Sequence, residues 1–381
     1  MSYALQTLWY ERQRYLPGVL AVAFSALLIA LQCGLLLGLF SITSLPIDHT
    51  DADIWMGAPS VVSVDLGEAM GADNLFKLLG EPGVARAEVY LQGFSYWAKP
   101  RGGRELCMVV GSRLEDDALG KVHELTPELR SLLTIPGNIV VDQSDLKRLG
   151  IDGVGSTAEV VGTRVRVVGL TRGIRSLAGP YVFCSLTTAQ QLLHLTPDQT
   201  TYVLARCDRG VDPREVVNRM RKKYRRTEGG KEYDTLSVFT RDEFSLRSRM
   251  HWLTKTKAGI ALGYAAALGL LVGAVVTSQT LRAATLASIK EFAVLRALGI
   301  PRWRMGLLVM NQAFWVGVIG IGLALPTVYG AAKLAERLGV DVPLPWWLLL
   351  IATVVTLVMA IVSGLFALRA LRNVEPATLL R

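Results

Sequence analysis

Four stretches of this chain, residues 15–47, 258–281, 305–332 and 342–368, contain no Asp, Glu, Lys or Arg. Each is longer than the ~20 residues a helix needs to cross a bilayer. Hydrocarbon offers no partner for a backbone N–H or C=O, so a lipid-embedded stretch of this kind must be helical. A water-soluble alternative would have to bury four helices of unusual length on all sides within 381 residues, a poor fit to that size. The first stretch is too long for a signal peptide, follows a polar lead and ends in no small-residue cleavage site. Gln32 also stands before Cys33 where a lipoprotein site needs a small residue. The expectation is an α-helical membrane protein with four transmembrane helices.

Charge sets the orientation. Arg12 and Arg14 precede the first stretch. Arg282, Lys290, Arg296, Arg302 and Arg304 lie between the second and third, and Arg369, Arg372 and Arg381 follow the fourth. Against them stand only Glu11, Glu291 and Glu375, so these segments carry most of the formal net charge of +9. Lys and Arg beside span ends mark the cytoplasmic face. Both termini are therefore expected inside, and a large extracytoplasmic domain is expected between the first and second spans. Topology accounts for the basic balance better than nucleic-acid binding does.

The inserted region reads as α+β. "APSVVSVDL" and "ARAEVYLQGFSYW" are strand-like, and "MGADNLFKLLG" between them is helix-patterned with a glycine stop. "GNIVVDQSDLKRLGIDGVGSTAEVVGTRVRVVGL" gives a strand, a short helix closed by Gly150 and β-branched strands broken by glycines. "GPYVFCSLTTAQQLLHL" adds a strand and helix; "TTYVLARC", "DPREVVNRMRKKYRR" and "YDTLSVFT" make a last strand–helix–strand unit. Such units at both ends of a β-rich middle suggest two subdomains, one inserted in the other. "TRDEFSLRSRMHWLTKTK" is helix-compatible and runs into the second span, as either a stalk or a linker with interface anchors.

Between the second and third spans stands "SIKEFAVLRALGIPRWRM", residues 288–305. Ile289, Phe292, Leu295 and Gly299 recur at helical steps, giving one apolar stripe. Gly299 supplies a stop, and Pro301 suits the first turn of a new helix. Two readings stay open on these grounds: a helix lying in the membrane surface, or one docking on a cytoplasmic partner. The lead "MSYALQTLWYERQRYLPG" is likewise either a short amphipathic helix ending at Pro17 or a basic flank with aromatic anchors.

"KEFAVLRALGIPRWRM" resembles the cytoplasmic signature of the MacB/FtsX-like ABC transporter permeases. The tail "NVEPATLLR" is similar to that family's closing motif, and "GNIVVDQSDLKRLG…RVRVVGL" to its exterior domain. The opening "LWYERQRYLPGVLAVAFSALLIALQCGLLLGLF" with "DADIWM" is similar to the DevC-type subgroup. The resemblance implies a permease subunit of an ABC transporter, itself not an enzyme, that exports a lipid-like or amphiphilic cargo from the inner (plasma) membrane. It implies as partners a cytoplasmic ABC ATPase binding the ATP and magnesium, a second permease copy (identical or a paralogue) and a periplasmic membrane-fusion adaptor. It implies no cofactor in this chain. Consistently, no G-x-x-x-x-G-K-[ST] loop occurs in the sequence; Gly229-Gly230-Lys231 comes nearest, followed by Glu232.

The resemblance also places a coupling helix on the segment containing Ile289, Glu291, Phe292, Leu295, Arg296, Ala297 and Gly299, resting on the ATPase. The organisation it implies is a lead helix 1–16, a first span 17–46, a periplasmic domain 47–240 and a stalk 241–257. A second span 258–281 follows, then the coupling loop 282–304, a third span 305–332, a short outer loop 333–341, a fourth span 342–368 and the tail 369–381.

Three further features complete the sequence reading. Gly34 with Gly38, and Gly269 with Gly273, are small residues one turn apart that permit close helix contact, within one subunit or between two. "DHTDAD" could gather Asp48, His49, Asp51 and Asp53 around a cation, although a solvated linker is the plainer reading. Cys107, Cys184 and Cys207 lie in the exterior region with no pairing indicated. A rival class, a membrane-anchored enzyme, finds no nucleophile or metal spacing among His49, His123, His194 and His251. A second rival is an FtsX-like signalling subunit that activates an extracytoplasmic hydrolase.

Overall fold

In a computed structural model of the 381-residue chain, residues 10, 12–100, 102–176, 179–228, 231–287, 301–337 and 342–372 are described. The chain divides into two units, Leu39–Thr256 and a second made of Met1–Gly38 with Lys257–Arg381.

The first unit is built on a nine-stranded mixed sheet. Its strands are β1 (Ile54–Gly57), β2 (Val84–Ala98), β3 (Arg104–Ser112), β4 (Asn138–Asp142), β5 (Thr157–Val160), β6 (Thr163–Thr171), β7 (Tyr181–Ser185), β8 (Tyr202–Cys207) and β9 (Ser237–Thr240). They lie in the order β9-β1-β8-β2-β3-β7-β4-β6-β5, and β5 also pairs back to β2. The antiparallel set β9-β1-β8-β2 carries two helices on one face, α3 (Asn74–Leu79) and α7 (Pro213–Tyr224). Ile54, Met56, Val203, Ala205 and Val238 on the strands meet Leu78, Val216, Val217 and Met220 on these helices. The intervening residues of the same strands, Trp55, Leu204 and Phe239, face the opposite side, as a side-chain period of two requires.

The strands β2, β3, β7, β4, β6 and β5 form a closed ring, because Trp97 and Ala98 at the end of β2 pair with Val160 and Glu159 of β5. Closure removes the free edges that would otherwise present unpaired backbone groups. Within this ring β3–β7 and β4–β6 are the parallel pairs. One core holds Cys107, Val109, Ile139, Val141, Val182 and Cys184, along with Leu149 of α5 (Leu146–Leu149) and Leu192 of α6 (Leu186–Leu193). Their strand neighbours Met108, Val110, Val140, Tyr181 and Phe183 belong to the other core, which also contains Leu133 of α4 (Pro127–Leu133).

Local signals set the helix ends. Thr126, Ser185 and Asp212 cap α4, α6 and α7 by accepting the N–H of Leu129, Thr188 and Arg214, each removing one orphan donor of a first turn. Gly150 ends α5 in the left-handed region, at φ +69°.

One strand expectation is corrected. "APSVVSVDL" is not a strand: after β1 the chain runs irregularly to a single 3-10 turn at Val64–Leu66. Its backbone groups are met by side chains. Ser248 Oγ accepts the Val64 N–H, and the Tyr202 hydroxyl donates to the carbonyls of Ser63 and Val64. Burial of Val61 and Val64 in the core, not ladder pairing, uses the β-branched residues here.

The second unit contains α1 (Arg12–Ile42, which begins in this unit), α9 (Lys257–Ala287), α10 (Arg302–Arg337) and α11 (Trp346–Arg372). By length and composition, 15–42, 259–276 and 310–337 are long and apolar enough to cross a membrane; the described apolar run of α11 is the shorter 346–362. α1 runs unbroken through Pro17, and most of the lead segment 1–16 lies outside the described residues. Tyr15, Val19 and Val22 of α1 pack against Ala313 and Val316 of α10, and Ile29 and Ala30 pack with Val328 and Ala352.

Candidate transmission junction

The residues on which the sequence places the coupling helix, Ile289, Glu291, Phe292, Leu295, Arg296, Ala297 and Gly299, lie outside the described residues, as does the Gly229-Gly230 pair. Three of the four packing glycines meet groups of their own chain. A Cβ on Gly269 would stand 2.2 Å from the Gln32 Oε1, and one on Gly273 3.0 Å from the Ser25 Cβ. Ser25 Oγ also donates to the Gly273 carbonyl at 3.2 Å, so absence of a side chain lets α1 and α9 cross closely. Gly34 lies against Val342 and Leu344 ahead of α11, and Gly38 is buried.

The described site with most functional content is the docking of α8 (Arg241–Lys255) on the α/β unit. Thr240 caps it by accepting the Glu243 N–H, and Asp242 and Glu243 place negative charge in its first turn. Phe244 is fully buried, stacked on Phe239 with ring centroids 5.1 Å apart and set 5.7 Å from both Trp55 and Tyr202. One turn on, Ser248 accepts the Val64 N–H at 3.0 Å; one turn further, the Trp252 indole donates to Asp65 Oδ2 at 3.1 Å. Arg247 donates to the Val61 carbonyl at 3.1 Å. Phe244, Ser248 and Trp252 thus form one stripe at four-residue steps, a pattern legible in the sequence and obscured there by the charges between them.

The same helix holds the chain leaving α1. Next comes α2 (Leu45–Asp48), and Arg249 donates to Asp48 Oδ2 at 2.6 Å and to Ser44 Oγ at 2.7 Å. Ser44 Oγ in turn donates to Asp48 Oδ2 at 2.6 Å, and Arg241 donates to the Asp48 carbonyl. Charge-assisted bonds of this partly buried kind contribute about 1.5–3 kcal/mol each. The chain passage Ser44–Asp48 is thereby pinned to α8 at Arg241 and Arg249. α8 ends at Lys255, and Thr256 is extended with its hydroxyl donating to the Trp252 carbonyl, so no single helix continues from α8 into α9.

Beneath α8 lies Asp65, 5% exposed, whose Oδ1 accepts Gln92 Nε2 at 3.2 Å. Burial raises its pKa to about 7, with the Trp252 bond acting against that rise. Nothing in the sequence distinguished this aspartate from a solvated one.

"DHTDAD" does not gather round a cation. Asp48 is taken by Arg249; His49 Nδ1 faces Glu124 at 2.5 Å; Asp51 pairs with Lys121 and His123; Asp53 accepts the Cys207 N–H. Each carboxylate already has its own partner on a different element. Among the described residues no His, Cys, Asp or Glu group could hold a metal ion. The Asp51 carboxyl is held below its usual range by His123 and Lys121, in spite of burial. His194 is a left-handed helix cap at φ +53°, and all four cysteines are free thiols.

A nine-stranded α/β unit on the same chain as long apolar helices is the make-up of a membrane protein with a large folded domain. The family model described as MacB-like periplasmic core domain matches residues 19–223, more than half of the chain. The one described as FtsX-like permease C-terminal matches residues 263–376. The chain belongs to the MacB/FtsX-like family of ABC-type permeases.

Three of the solved structures similar to it follow. The periplasmic region of MacB from Actinobacillus actinomycetemcomitans is 10% identical with a TM-score of 0.33, covering 51% of this chain and 92% of that one. The extracellular domain of the noncanonic ABC-type transporter YknZ from Gram-positive bacteria is 10% identical with a TM-score of 0.31, covering 49% and 99%. A domain of a putative permease protein from Porphyromonas gingivalis is 15% identical with a TM-score of 0.31, covering 51% and 92%. No curated protein matches the chain. The family assignment rests on the two sequence matches.

Proposed function

We propose that this chain is the DevC-type membrane subunit of an ATP-driven exporter, converting ATP hydrolysis on a separate cytoplasmic subunit into motion of the α/β unit. Four spans (α1, α9, α10 and α11) place both termini in the cytoplasm and the α/β unit outside an inner membrane. The segment containing Leu295 rests on the ATPase, which binds the nucleotide and magnesium; this chain binds no cofactor. Two permease copies work together, and a membrane-fusion adaptor receives a lipid-like or amphiphilic cargo.

The observation that carries this reading is the clamp between Asp48, Ser44 and Arg249 together with the buried Phe244. A domain whose two chain passages are pinned to each other and to its core moves as one body when those passages are displaced. Buried core interfaces shift between discrete arrangements and do not deform continuously, so small displacements of α8 pass to the sheets and are not absorbed locally.

Affinity purification of the full chain in mild detergent, with identification of its companions, tests the proposal. A co-purifying ABC ATPase with a membrane-fusion adaptor is expected. An ATPase accompanied by an extracytoplasmic hydrolase would replace export by FtsX-like signalling, and absence of any ATPase would refute both.

A further inference from the structure

Asp65 is a buried carboxylate whose two hydrogen-bond partners, Gln92 and Trp252, are both neutral. Three tyrosine hydroxyls, on Tyr90, Tyr181 and Tyr202, feel its charge from β2, β7 and β8, and burial pushes all three upward. The arginines of α8 are engaged elsewhere: Arg241 with the Asp48 carbonyl, Arg247 with the Val61 carbonyl and the Phe239 ring, Arg249 with Asp48. His251, beside Trp252, is held low by burial and by Lys255 and Arg247. Glu68, three residues along from Asp65, is exposed. Among the described residues the Gln92 Oε1, Ser63 Oγ and Tyr90 hydroxyl are buried without a partner, as is the indole N–H of Trp55, which packs on Tyr90. Buried polar atoms left unpaired in this way call for a proton or a water.

We propose that Asp65 is a proton-operated latch that sets how firmly the Trp252 end of α8 is docked. In the neutral carboxyl, one oxygen accepts the Trp252 indole and the hydroxyl donates to Gln92 Oε1, after the amide turns over; the contact stays dry. In the ionised form an uncompensated charge sits in the core, and water enters between α8 and the 3-10 turn to solvate it. The proton passes to and from solvent. Its midpoint falls near neutrality, where burial sets the carboxyl, so acid tightens the dock and alkali loosens it. This deepens the reading of α8 as the transmission element by adding a control on it, and rests on that reading only for its functional consequence.

The test uses the full chain in lipid nanodiscs with 5-fluorotryptophan, without any ATPase. The Trp252 resonance is assigned by its loss in Trp252→Phe and followed from acid to alkaline pH. We expect it to move with a midpoint near neutrality, to keep moving in His251→Gln, and to stand still in Asp65→Asn. A signal flat across the range overturns the latch, as does a titration that vanishes in His251→Gln or persists in Asp65→Asn. If Asp65→Asn does not fold, the His251→Gln titration decides alone: its survival supports the latch and its loss overturns it. Failure here leaves the subunit assignment standing, because that is read from co-purification.

Discussion

Replacing Phe244 by alanine attacks the docking of α8 at its largest contact. The ring is fully buried, stacked on Phe239 at an interplanar angle of 6° and in contact with Trp55 and Tyr202. Phe→Ala in a well-packed core costs roughly 3–5 kcal/mol, because transfer and cavity terms add. Among the holds that remain are hydrogen bonds donated by Arg241, Arg247, Arg249 and Trp252, the Val64 N–H accepted by Ser248, and the Glu243–Arg221 pair, each contributing about 0.5–3 kcal/mol. They keep the helix attached while it opens more often. At about 1.4 kcal/mol per factor of ten, α8 amides should lose hydrogen-exchange protection by about two to four powers of ten. The barrel strand β5, whose Ala158 and Val160 pack in the separate core, should keep its protection. Peptide-level exchange on the full chain in nanodiscs reads both at once. Protection unchanged in α8, or lost by the same factor in the barrel, would refute the idea that this aromatic contact is what docks the helix.

Three further outcomes follow from the same structure. The folded domain holds a proton on Asp65 that the unfolded chain releases from its ordinary 3.8 upward, so its stability should fall as pH rises from about 4 to about 7 and be flat above; chemical unfolding should show a decline on the order of 4 kcal/mol, absent in Asp65→Asn. Gly320→Leu should lower thermal stability in detergent by forcing α10 off α1, since a Cβ there lies 2.8 Å from Val22 and 3.1 Å from the Val19 carbonyl, whereas Gly322, with nothing within 4 Å, should tolerate leucine; overpacking of this kind typically costs about 1–3 kcal/mol. Cysteines at Asp208 and Lys231 should label from outside the cell and one at Lys290 should not; a Lys290 site labelled from outside would invert the topology.

The apolar helices were legible because hydrophobic runs of membrane length have few other uses, and the α/β helices because caps such as Asp212 and stops such as Gly150 act through local geometry. The ring closure was not legible. It rests on Trp97 and Ala98 meeting Val160 and Glu159, a long-range pairing that no local periodicity encodes. "APSVVSVDL" misled because β-branched residues serve burial as readily as pairing, and the deciding partners, Tyr202 and Ser248, stand far along the chain. The docking stripe of α8 was present as Phe244, Ser248 and Trp252, but its four-residue step was masked by arginines that also reach inward. The buried state of Asp65 depends on all of these contacts together and left no mark in the sequence.

The proposed function requires that this chain couple to an ATPase through the segment containing Leu295. Leu295→Asp puts a charge into the apolar stripe of that segment; buried against protein without a partner, it should cost several kcal/mol, while Arg296→Ala, a surface pair at most, should cost ~0–1 kcal/mol. Pull-down of the full chain in mild detergent, wild type beside Leu295→Asp, measures the claim directly. We predict that the variant still inserts in the membrane but loses the ATPase band, and Arg296→Ala keeps it. An undiminished ATPase band with Leu295→Asp would contradict the account and leave the segment as a helix of the membrane surface.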